Sequence, residues 1–221
     1  MDKTQYTNLA KAWEFTEEHA RELEPDTIAD ARAAADQAGQ LQGPAAQARL
    51  LGLLVQLTGA SSVIAVGTGS LVETLQLMHA LNGAGQLTAV DSSAQGIMLI
   101  RKAFTALQDV TDTSLRAVNA PTSVFLPRLN AHDYDLIVVA GDPENYASTF
   151  AQASRLLREH GAIVFTDVLA LASEQGGVLN AADRSDKTVA MRELIATVEQ
   201  DEGFTSTLTP DGTGMLIAVK Q

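Results

Sequence analysis

The chain has no cysteine, few basic residues and no long apolar run. Without cysteine, disulfide bonds, thiolate metal sites and thiol nucleophiles are all excluded. With 15 basic residues against 27 acidic ones, the net charge is -12, which gives no electrostatic reason to bind nucleic acid or an anionic membrane. No apolar run approaches the roughly 18 residues of a membrane span, and the polar N-terminus does not resemble a signal peptide. These absences predict a soluble cytoplasmic protein whose partners are small molecules or other proteins.

The residues that are present predict one α/β domain. Hydrophobic residues make up 46% of the 221 residues and charged residues 19%, which allows a sizeable core. Apolar residues recur at helical spacing through residues 1–60, where we predict an N-terminal helical segment. From residue 61 to residue 221, short runs rich in Val and Ile alternate with amphipathic helices. This alternation predicts a core with a parallel sheet that is covered on both faces.

The expected sheet has seven strands. Five runs predict parallel strands: SVIAVG, QLTAVD, SLRAVN, YDLIVVAGD and AIVFTDVLA. The helix after the fourth run is predicted to extend to Gly161. At the end of the chain, FTSTLT and GMLIAVK are separated only by a turn, so they form an antiparallel hairpin. The prediction is a doubly wound, mostly parallel seven-stranded sheet with a C-terminal antiparallel hairpin.

The tripeptide G-T-G occurs twice in two different settings. Gly212, Thr213 and Gly214 lie in the hairpin turn, where glycine supplies a positive φ. Gly67, Thr68 and Gly69 come between the first strand and a helix, and ligands of open parallel sheets lie at the carboxyl ends of the strands. A tight turn without a ligand would have the same pattern, and G-x-G alone does not separate the two interpretations.

An acidic residue at the end of the second strand favours a nucleoside ligand. Asp91 lies about 20 residues beyond the glycines, where a carboxylate accepts hydrogen bonds from ribose hydroxyls. It could also cap the next helix, and the two roles are compatible. Val72 stands where a dinucleotide site prefers a third glycine, and the carboxylate of Glu73 would repel a pyrophosphate. S-adenosylmethionine has no phosphate and carries positive groups, so it is favoured over NAD.

Taken together, these features resemble the class I S-adenosylmethionine-dependent O-methyltransferases, in the catechol and caffeoyl-CoA O-methyltransferase branch. The resemblance extends from about Gln42 to Lys220. It rests on LLGLLVQLTGASSVIAVGTGS, GQLTAVDSS, YDLIVVAGDPENY, LLREHGAIVFTDVL and TPDGTGMLIAVK. It implies a Rossmann-like methyltransferase fold and a homodimer.

The resemblance also assigns residues to the cofactor. Gly67, Thr68 and Gly69 are assigned to the methionine end, and Asp91 to the ribose. The residues assigned to the adenine are Ser92, Asn119 and Ala120. The last two match an Asp-Ala pair of the family, with Asn in place of Asp. Two further departures lie around the loop, because Ala65 replaces a glutamate and Leu71-Val72-Glu73 replaces Gly-Tyr-Ser.

The family's divalent metal lacks most of its ligands in this chain. Family members usually hold it between an Asp at the fourth strand tip and an Asp-Asn pair after the fifth strand. Ala140, Thr166 and Asp167 stand at these positions, and Pro143 replaces a lysine. Since a hard cation prefers several oxygen ligands that include carboxylates, we predict that the protein does not hold the family's metal. The alternative that stays open is a weak metal site, because a shift of either loop by one residue would bring Asp142 and Asp167 inward together.

Without a metal to acidify the acceptor hydroxyl, a side-chain base is required. Two carboxylates are expected near the site, Asp167 and Asp142. Asp142 precedes Pro143 and suits a helix N-cap, whereas Asp167 has no comparable local role and is the first candidate for the base. His132, in the turn before the fourth strand, is expected at the other end of the sheet and is a weaker candidate.

The sequence therefore predicts an S-adenosylmethionine-dependent O-methyltransferase that acts on a hydroxyl of a small molecule without a metal. Two alternatives remain open. The changes at Ala140, Pro143 and Thr166 are also those of a cofactor-binding protein that has lost catalysis. The third possibility is an NAD-dependent oxidoreductase.

Overall fold

The structure is a computed structural model that describes residues 3–67 and 70–221. Its helices are α1 (Lys3–Glu22), α2 (Asp26–Gln37), α3 (Ala45–Thr58), α4 (Leu71–Leu81), α5 (Ala94–Leu107), α6 (Thr122–Phe125), α7 (Pro143–Leu156) and α8 (Asp186–Gln200). Its strands are β1 (Ser62–Val66), β2 (Gln86–Asp91), β3 (Ser114–Asn119), β4 (Tyr134–Val139), β5 (Leu157–Phe165), β6 (Phe204–Thr209) and β7 (Met215–Lys220). Short 3-10 turns lie at Leu126–Arg128 and Gly177–Leu179.

The strands form one sheet in the order β3-β2-β1-β4-β5-β7-β6. The first five strands in that order are parallel, while β7 is antiparallel to both of its neighbours. This arrangement confirms the predicted fold, including the C-terminal hairpin. The chain moves outward from β1 to β3 and then returns to the other side of β1 with β4. Between β1 and β4 the connections diverge, which opens a crevice at the carboxyl ends of the strands.

The two faces of the sheet carry separate cores because successive side chains of a strand point to opposite faces. In β1, Val63 and Ala65 pack with side chains of α2 to α5. Ile64 and Val66 pack on the other face with side chains of α6 to α8. All five residues of β1 are buried. The sheet is thus a rigid platform for the loops at its carboxyl edge.

The start of β5 differs from the sequence prediction. Helix α7 ends at Leu156, not at Gly161, and β5 begins at once with Leu157. The β4–β5 pairing then shifts register, and Arg158 within the shifted segment donates to Asp135 Oδ1 at 2.6 Å. The other carboxylate oxygen of Asp135 accepts the backbone N–H groups of Ser61 and Ser62. These contacts between distant residues favour the strand over another helical turn.

The end of β5 also differs from the prediction. The strand ends at Phe165, although the apolar run continues to Ala170. Asp167 has a φ of 57° and Ala170 a φ of 51°, so the backbone has left the extended conformation. The side chain of Asp167 therefore lies in a turn beyond the strand tip.

Within the described ranges, none of the helices combines the length and the apolar character that crossing a membrane requires.

Candidate active site

A cavity of about 250 Å³ lies at the carboxyl ends of β1, β4 and β5. Its lining comes from the start of α3, the start of α4, the strand tips and the turn of the hairpin. Polar groups of this lining include Gln47, Ser70, Glu73, Asp167 and Thr213. The cavity thus lies where the sheet order reverses, which is the position at which open α/β sheets bind ligands.

Gly67 allows the tips of β1 and β4 to approach each other closely. Its φ is 107°, and a Cβ atom on it would lie 2.1 Å from the carbonyl oxygen of Ala140. Its N–H donates to Val90 O at 3.1 Å, and its carbonyl accepts the Ser70 hydroxyl at 2.5 Å. No other residue type fits this turn without displacing the neighbouring strand. Thr68 and Gly69, the other predicted residues of the loop, lie outside the described residues.

Asp91 is buried at the end of β2, with 1% of its surface exposed. Its Oδ1 accepts the N–H of Ser93 at 2.6 Å. The cap of α5 is Ser93, whose hydroxyl accepts the N–H of Gly96 at 3.4 Å. The capping role that the sequence allowed for Asp91 therefore belongs to Ser93.

The predicted adenine-side residues lie next to Asp91. Asn119 pairs with Asp91 in the β2–β3 register, and its Nδ2 donates to the carbonyls of Asp91 and Ser92 at 2.9 and 3.1 Å. The N–H of Ala120 also donates to Asp91 O, at 2.9 Å. Ser92 and Asn119 are exposed. The structure thus brings these four residues together at one edge of the sheet, next to the turn of Gly67.

Glu73 is a buried carboxyl group within the cavity lining. Sequence reasoning used it as an argument against a pyrophosphate and for a cofactor that carries positive groups. Glu73 is 3% exposed, and its Oε1 accepts Gln47 Nε2 at 2.5 Å. Burial raises the pKa of Glu73 to about 7, against the effect of the Gln47 hydrogen bond, and the charge of Asp167 raises it further. A carboxyl group in the apolar helix segment LVETLQL was the one sequence signal that pointed to it.

Gln47 connects Glu73 to the C-terminal hairpin. Its Oε1 accepts the N–H and the hydroxyl of Thr213 at 3.1 and 3.3 Å. Gly212 packs against the same side chain, since a Cβ there would lie 2.2 Å from Gln47 Oε1. The second G-T-G is therefore the turn that the sequence predicted, with positive φ at Gly212 and Gly214. The turn also contributes Thr213 to the cavity, which the sequence did not indicate.

Asp167 also lines the cavity, and a lysine lies beside it. Its side chain is 38% exposed, and Lys187 Nζ lies 3.6 Å from its Oδ2. Lys187 also donates to Gly141 O at 2.9 Å and to the Tyr146 hydroxyl at 2.8 Å. Burial raises the pKa of Asp167 above its ordinary value, although Lys187 acts in the opposite direction. Lys187 reaches the site from the first turn of α8, and no motif in the sequence pointed to it.

Neither Asp142 nor His132 lines this cavity. Asp142 is exposed at the N-cap position of α7, followed by Pro143 at the first helical position, but its side chain makes no capping hydrogen bond. His132 lies just before β4, at the opposite end of that strand, where its Nδ1 is 3.2 Å from Leu157 O.

The residues at the family's metal positions do not fit a divalent cation. Ala140 offers no side-chain ligand, and the buried Thr166 hydroxyl is directed to Val139 O at 3.4 Å. The remaining ligand, Asp167, is paired with the ammonium of Lys187, which would repel a metal. Across residues 3–67 and 70–221, no group of three or more His, Cys, Asp or Glu side chains is arranged to hold one.

Comparison with known proteins decides the family. Residues 17–221 match the model of a protein family described as O-methyltransferase. The chain belongs to this O-methyltransferase family. Among the relatives of this O-methyltransferase is a Mycolicibacterium smegmatis protein that is provisionally named an O-methyltransferase. The two are 33% identical over 215 residues, which cover 96% of this chain and 100% of the relative. The family resemblance drawn from the sequence is thereby confirmed.

Two solved structures share the fold of this O-methyltransferase. One is the O-methyltransferase of Bacillus cereus in complex with S-adenosylhomocysteine, with a TM-score of 0.78, 17% identity and coverage of 96% of this chain and 99% of that chain. The other is TomG of Streptomyces achromogenes, an O-methyltransferase involved in tomaymycin synthesis, in complex with S-adenosylmethionine. Its TM-score is 0.77 at 19% identity, and the match covers 96% of this chain and 98% of TomG.

The raised pKa of Glu73 predicts that Glu73→Gln stabilises the ligand-free protein at pH 8 but not at pH 4. Because the folded pKa of about 7 exceeds the ordinary value of 4.5, the fold favours the neutral form. That stability is complete below the unfolded pKa and is lost as the pH rises through 7. Glutamine is always neutral, so we expect the free energy of unfolding of Glu73→Gln to exceed that of the wild type by about 1–3 kcal/mol at pH 8. Thermal melts at both pH values measure it, and an equal difference at pH 4 would contradict the prediction.

Proposed function

We propose that this O-methyltransferase transfers the methyl group of S-adenosylmethionine to a hydroxyl of a small molecule, with a side-chain base and without a divalent metal. The observation that carries the proposal is the cavity at the tips of β1, β4 and β5, where the carboxylate of Asp167 has the ammonium group of Lys187 3.6 Å away. The two solved structures of the same fold support the cofactor, because their bound molecules are S-adenosylhomocysteine and S-adenosylmethionine.

The residues at the carboxyl edge of the sheet fit this cofactor. The close approach of Gly67 to Ala140 leaves backbone, not side chain, at the β1 tip, and we assign Gly67 with Thr68 and Gly69 to the methionine end. We assign Asp91 to the ribose hydroxyls. Ser92, Asn119 and Ala120 are assigned to the adenine. When bound, S-adenosylmethionine supplies a methyl group on a cationic sulfur, and the electron pair of the broken carbon–sulfur bond stays on that sulfur.

Asp167 is proposed as the general base. Its carboxylate accepts the proton of the acceptor hydroxyl while the oxygen forms its bond to the methyl carbon, and the product is a methyl ether. A raised pKa makes Asp167 a better proton acceptor near neutral pH. Lys187 holds the carboxylate in place through the 3.6 Å ion pair. Asp142 remains a second, weaker proposal, because it is exposed and outside the cavity lining.

Chelation tests the metal part of the proposal. We expect transfer of labelled methyl groups to a panel of hydroxyl-bearing small molecules to proceed equally with Mg²⁺ and with excess EDTA. The physical reason is that the position of the family's metal offers one carboxylate that already has a cationic partner. Turnover that EDTA abolishes and Mg²⁺ restores would contradict the metal-free mechanism.

The second candidate is a cofactor-binding protein without catalysis, which the replacements at Ala140 and Thr166 favour. Calorimetry separates the two candidates, because tight binding of S-adenosylmethionine without turnover on the whole panel would support the second. Membership of the O-methyltransferase family removes the main reason for considering an NAD-dependent oxidoreductase.

The assembly and the location are further proposals. We infer a homodimer that works in the cytoplasm, and four apolar side chains support its interface. Trp13 and Phe15 of α1 are 46% and 68% exposed, and Leu53 and Leu57 of α3 are 49% and 72% exposed. Burying such side chains between two subunits would be favourable. Light scattering that gives the mass of a single chain at micromolar concentration would contradict the dimer.

A further inference from the structure

One of the two carboxyl oxygens of Glu73 has a hydrogen-bond partner among the described residues, and the other has none. Its Oε1 accepts the Gln47 amide at 2.5 Å, but its Oε2 has no hydrogen-bond partner among the described residues and is fully buried. The side chain lines the cavity that Asp167 also lines. An unpaired buried carboxyl oxygen is costly, so its retention at this point requires an explanation.

The surroundings hold Glu73 in this position. A Cβ on Gly43 would lie 3.0 Å from Glu73 Oε1, so glycine leaves room for the carboxyl group. Gln47 orients it with its amide nitrogen, while its amide oxygen is fixed by Thr213. Residues of two separate chain segments, 43–47 and the hairpin turn, therefore hold Oε1 in place, while Oε2 has no partner among the described residues.

Arg32, whose charge acts on Glu73, and Lys187, which lies beside Asp167, both have other partners. Arg32 donates to Glu24 at 2.5 Å and to Gly43 O at 2.8 Å. Lys187 is held by Gly141, Tyr146 and Asp167. The chain thus places an acidic group in the cavity without pairing it, which is the arrangement expected for a cationic ligand.

We propose that Glu73 binds a primary ammonium group within this cavity. An ammonium group has three donors on a compact charge, so Glu73 Oε2 can accept one, and the Ser70 hydroxyl in the same lining can accept another. A divalent metal is disfavoured, because the other carboxylate of this lining, Asp167, already has the ammonium group of Lys187 3.6 Å away. The ammonium group belongs either to the amino-acid end of the cofactor or to an amine on the acceptor. The first source rests on the proposed function.

Calorimetry with product analogues tests the cofactor source. S-adenosylhomocysteine has the ammonium group, whereas 5′-methylthioadenosine lacks the amino-acid end. Glu73→Gln keeps one oxygen that can accept from Gln47, but it removes the negative charge and replaces Oε2 by an NH2 group, which donates instead of accepting. We expect it to weaken S-adenosylhomocysteine binding about 10–100-fold and to leave 5′-methylthioadenosine binding unchanged. Glu199→Gln, on the exposed face of α8, is the matched control and should bind both molecules as the wild type does.

Proton release gives a second readout. Burial raises the pKa of Glu73 to about 7, and the charges that act on it are those of Asp167 and Arg32. An ammonium group would lower that pKa, so binding of S-adenosylhomocysteine at pH 7 should release about half a proton. The apparent binding heats in phosphate and Tris buffers measure this release, and it should disappear in Glu73→Gln.

The outcomes show whether the ammonium group comes from the cofactor or from the acceptor. They also separate a failure of the Glu73 inference from a failure of the proposed function. If Glu73→Gln spares S-adenosylhomocysteine but weakens tyramine, a hydroxyl-bearing amine, the ammonium group comes from the acceptor. If it weakens neither, the inference is overturned even though the cofactor site stands. If the wild type binds neither nucleoside, the proposed function fails, and tyramine binding alone then decides the role of Glu73. Thermal melts of each variant confirm that it is folded.

Discussion

Asp167→Asn is expected to lower kcat by about 10²–10⁴-fold and to leave the affinity for S-adenosylmethionine close to that of the wild type. The variant removes the proton acceptor but keeps the size of the side chain. Asparagine tolerates positive φ as well as aspartate does, so the φ of 57° at this position adds no backbone strain. Single-turnover rates and calorimetry on the same preparation measure the two quantities.

The pH profile of the wild type belongs to the same prediction. Because burial raises the pKa of Asp167, protonation removes the base as the pH falls. We expect kcat to decrease toward acidic pH in the wild type and this decrease to be absent from the residual activity of Asp167→Asn.

Two further variants make the result specific. Asp109→Asn, on the exposed surface after α5, should retain the wild-type rate. Asp142→Asn should cause a smaller loss than Asp167→Asn, since Asp142 is exposed outside the cavity lining. If Asp142→Asn has the larger effect, the roles of the two carboxylates are reversed. Full activity of Asp167→Asn and of Asp142→Asn would exclude either of these two residues as the general base.

Gly67→Ala is expected to lower the free energy of unfolding by roughly 3–5 kcal/mol and to abolish measurable cofactor binding. Its Cβ would lie 2.1 Å from the carbonyl oxygen of Ala140, and the φ of 107° is unfavourable for alanine. Backbone strain of this kind costs about 1–3 kcal/mol, and a steric overlap that displaces a packed strand costs a similar amount. Denaturant unfolding and calorimetry with S-adenosylhomocysteine measure the two effects.

Gly39→Ala is the matched control for backbone strain alone. Gly39 has a φ of 72°, but a Cβ on it would have no atom within 4 Å. We therefore expect a loss of about 1–2 kcal/mol with unchanged cofactor affinity. If both variants lose the same stability, the close approach of the β1 and β4 tips is not the reason for glycine at position 67.

Most of the fold follows from local patterns in the sequence. The alternation of apolar strands with amphipathic helices places Gly67, Asp91 and Asn119 at strand ends, and parallel strands bring these ends to one edge. The boundaries of β2 and β3 agree with the sequence prediction. The assignment of Gly67, Asp91 and Asn119 to a cofactor stays a prediction, as does the division at residue 60. The errors concern β5, where distant partners such as Asp135 determine the start of the strand.

The cavity could not be predicted to the same extent. Gln47 joins Glu73 to Thr213, and these residues are 26 and 166 positions from Gln47 in the chain. Lys187 meets Asp167 because the first turn of α8 lies next to the residues that follow β4 and β5. Neither partnership leaves a periodic pattern or a motif, since each depends on which strands become neighbours.

The sequence by itself determined the order of the seven strands, the family and the ends of β2 and β3, because periodicity and turn chemistry act over a few neighbouring residues. Only the tertiary structure decided that a lysine lies beside Asp167 and that Glu73 is buried with an unpaired oxygen. Both features arise from contacts across the sheet edge, and the energies of such contacts depend on strand order and register rather than on local sequence.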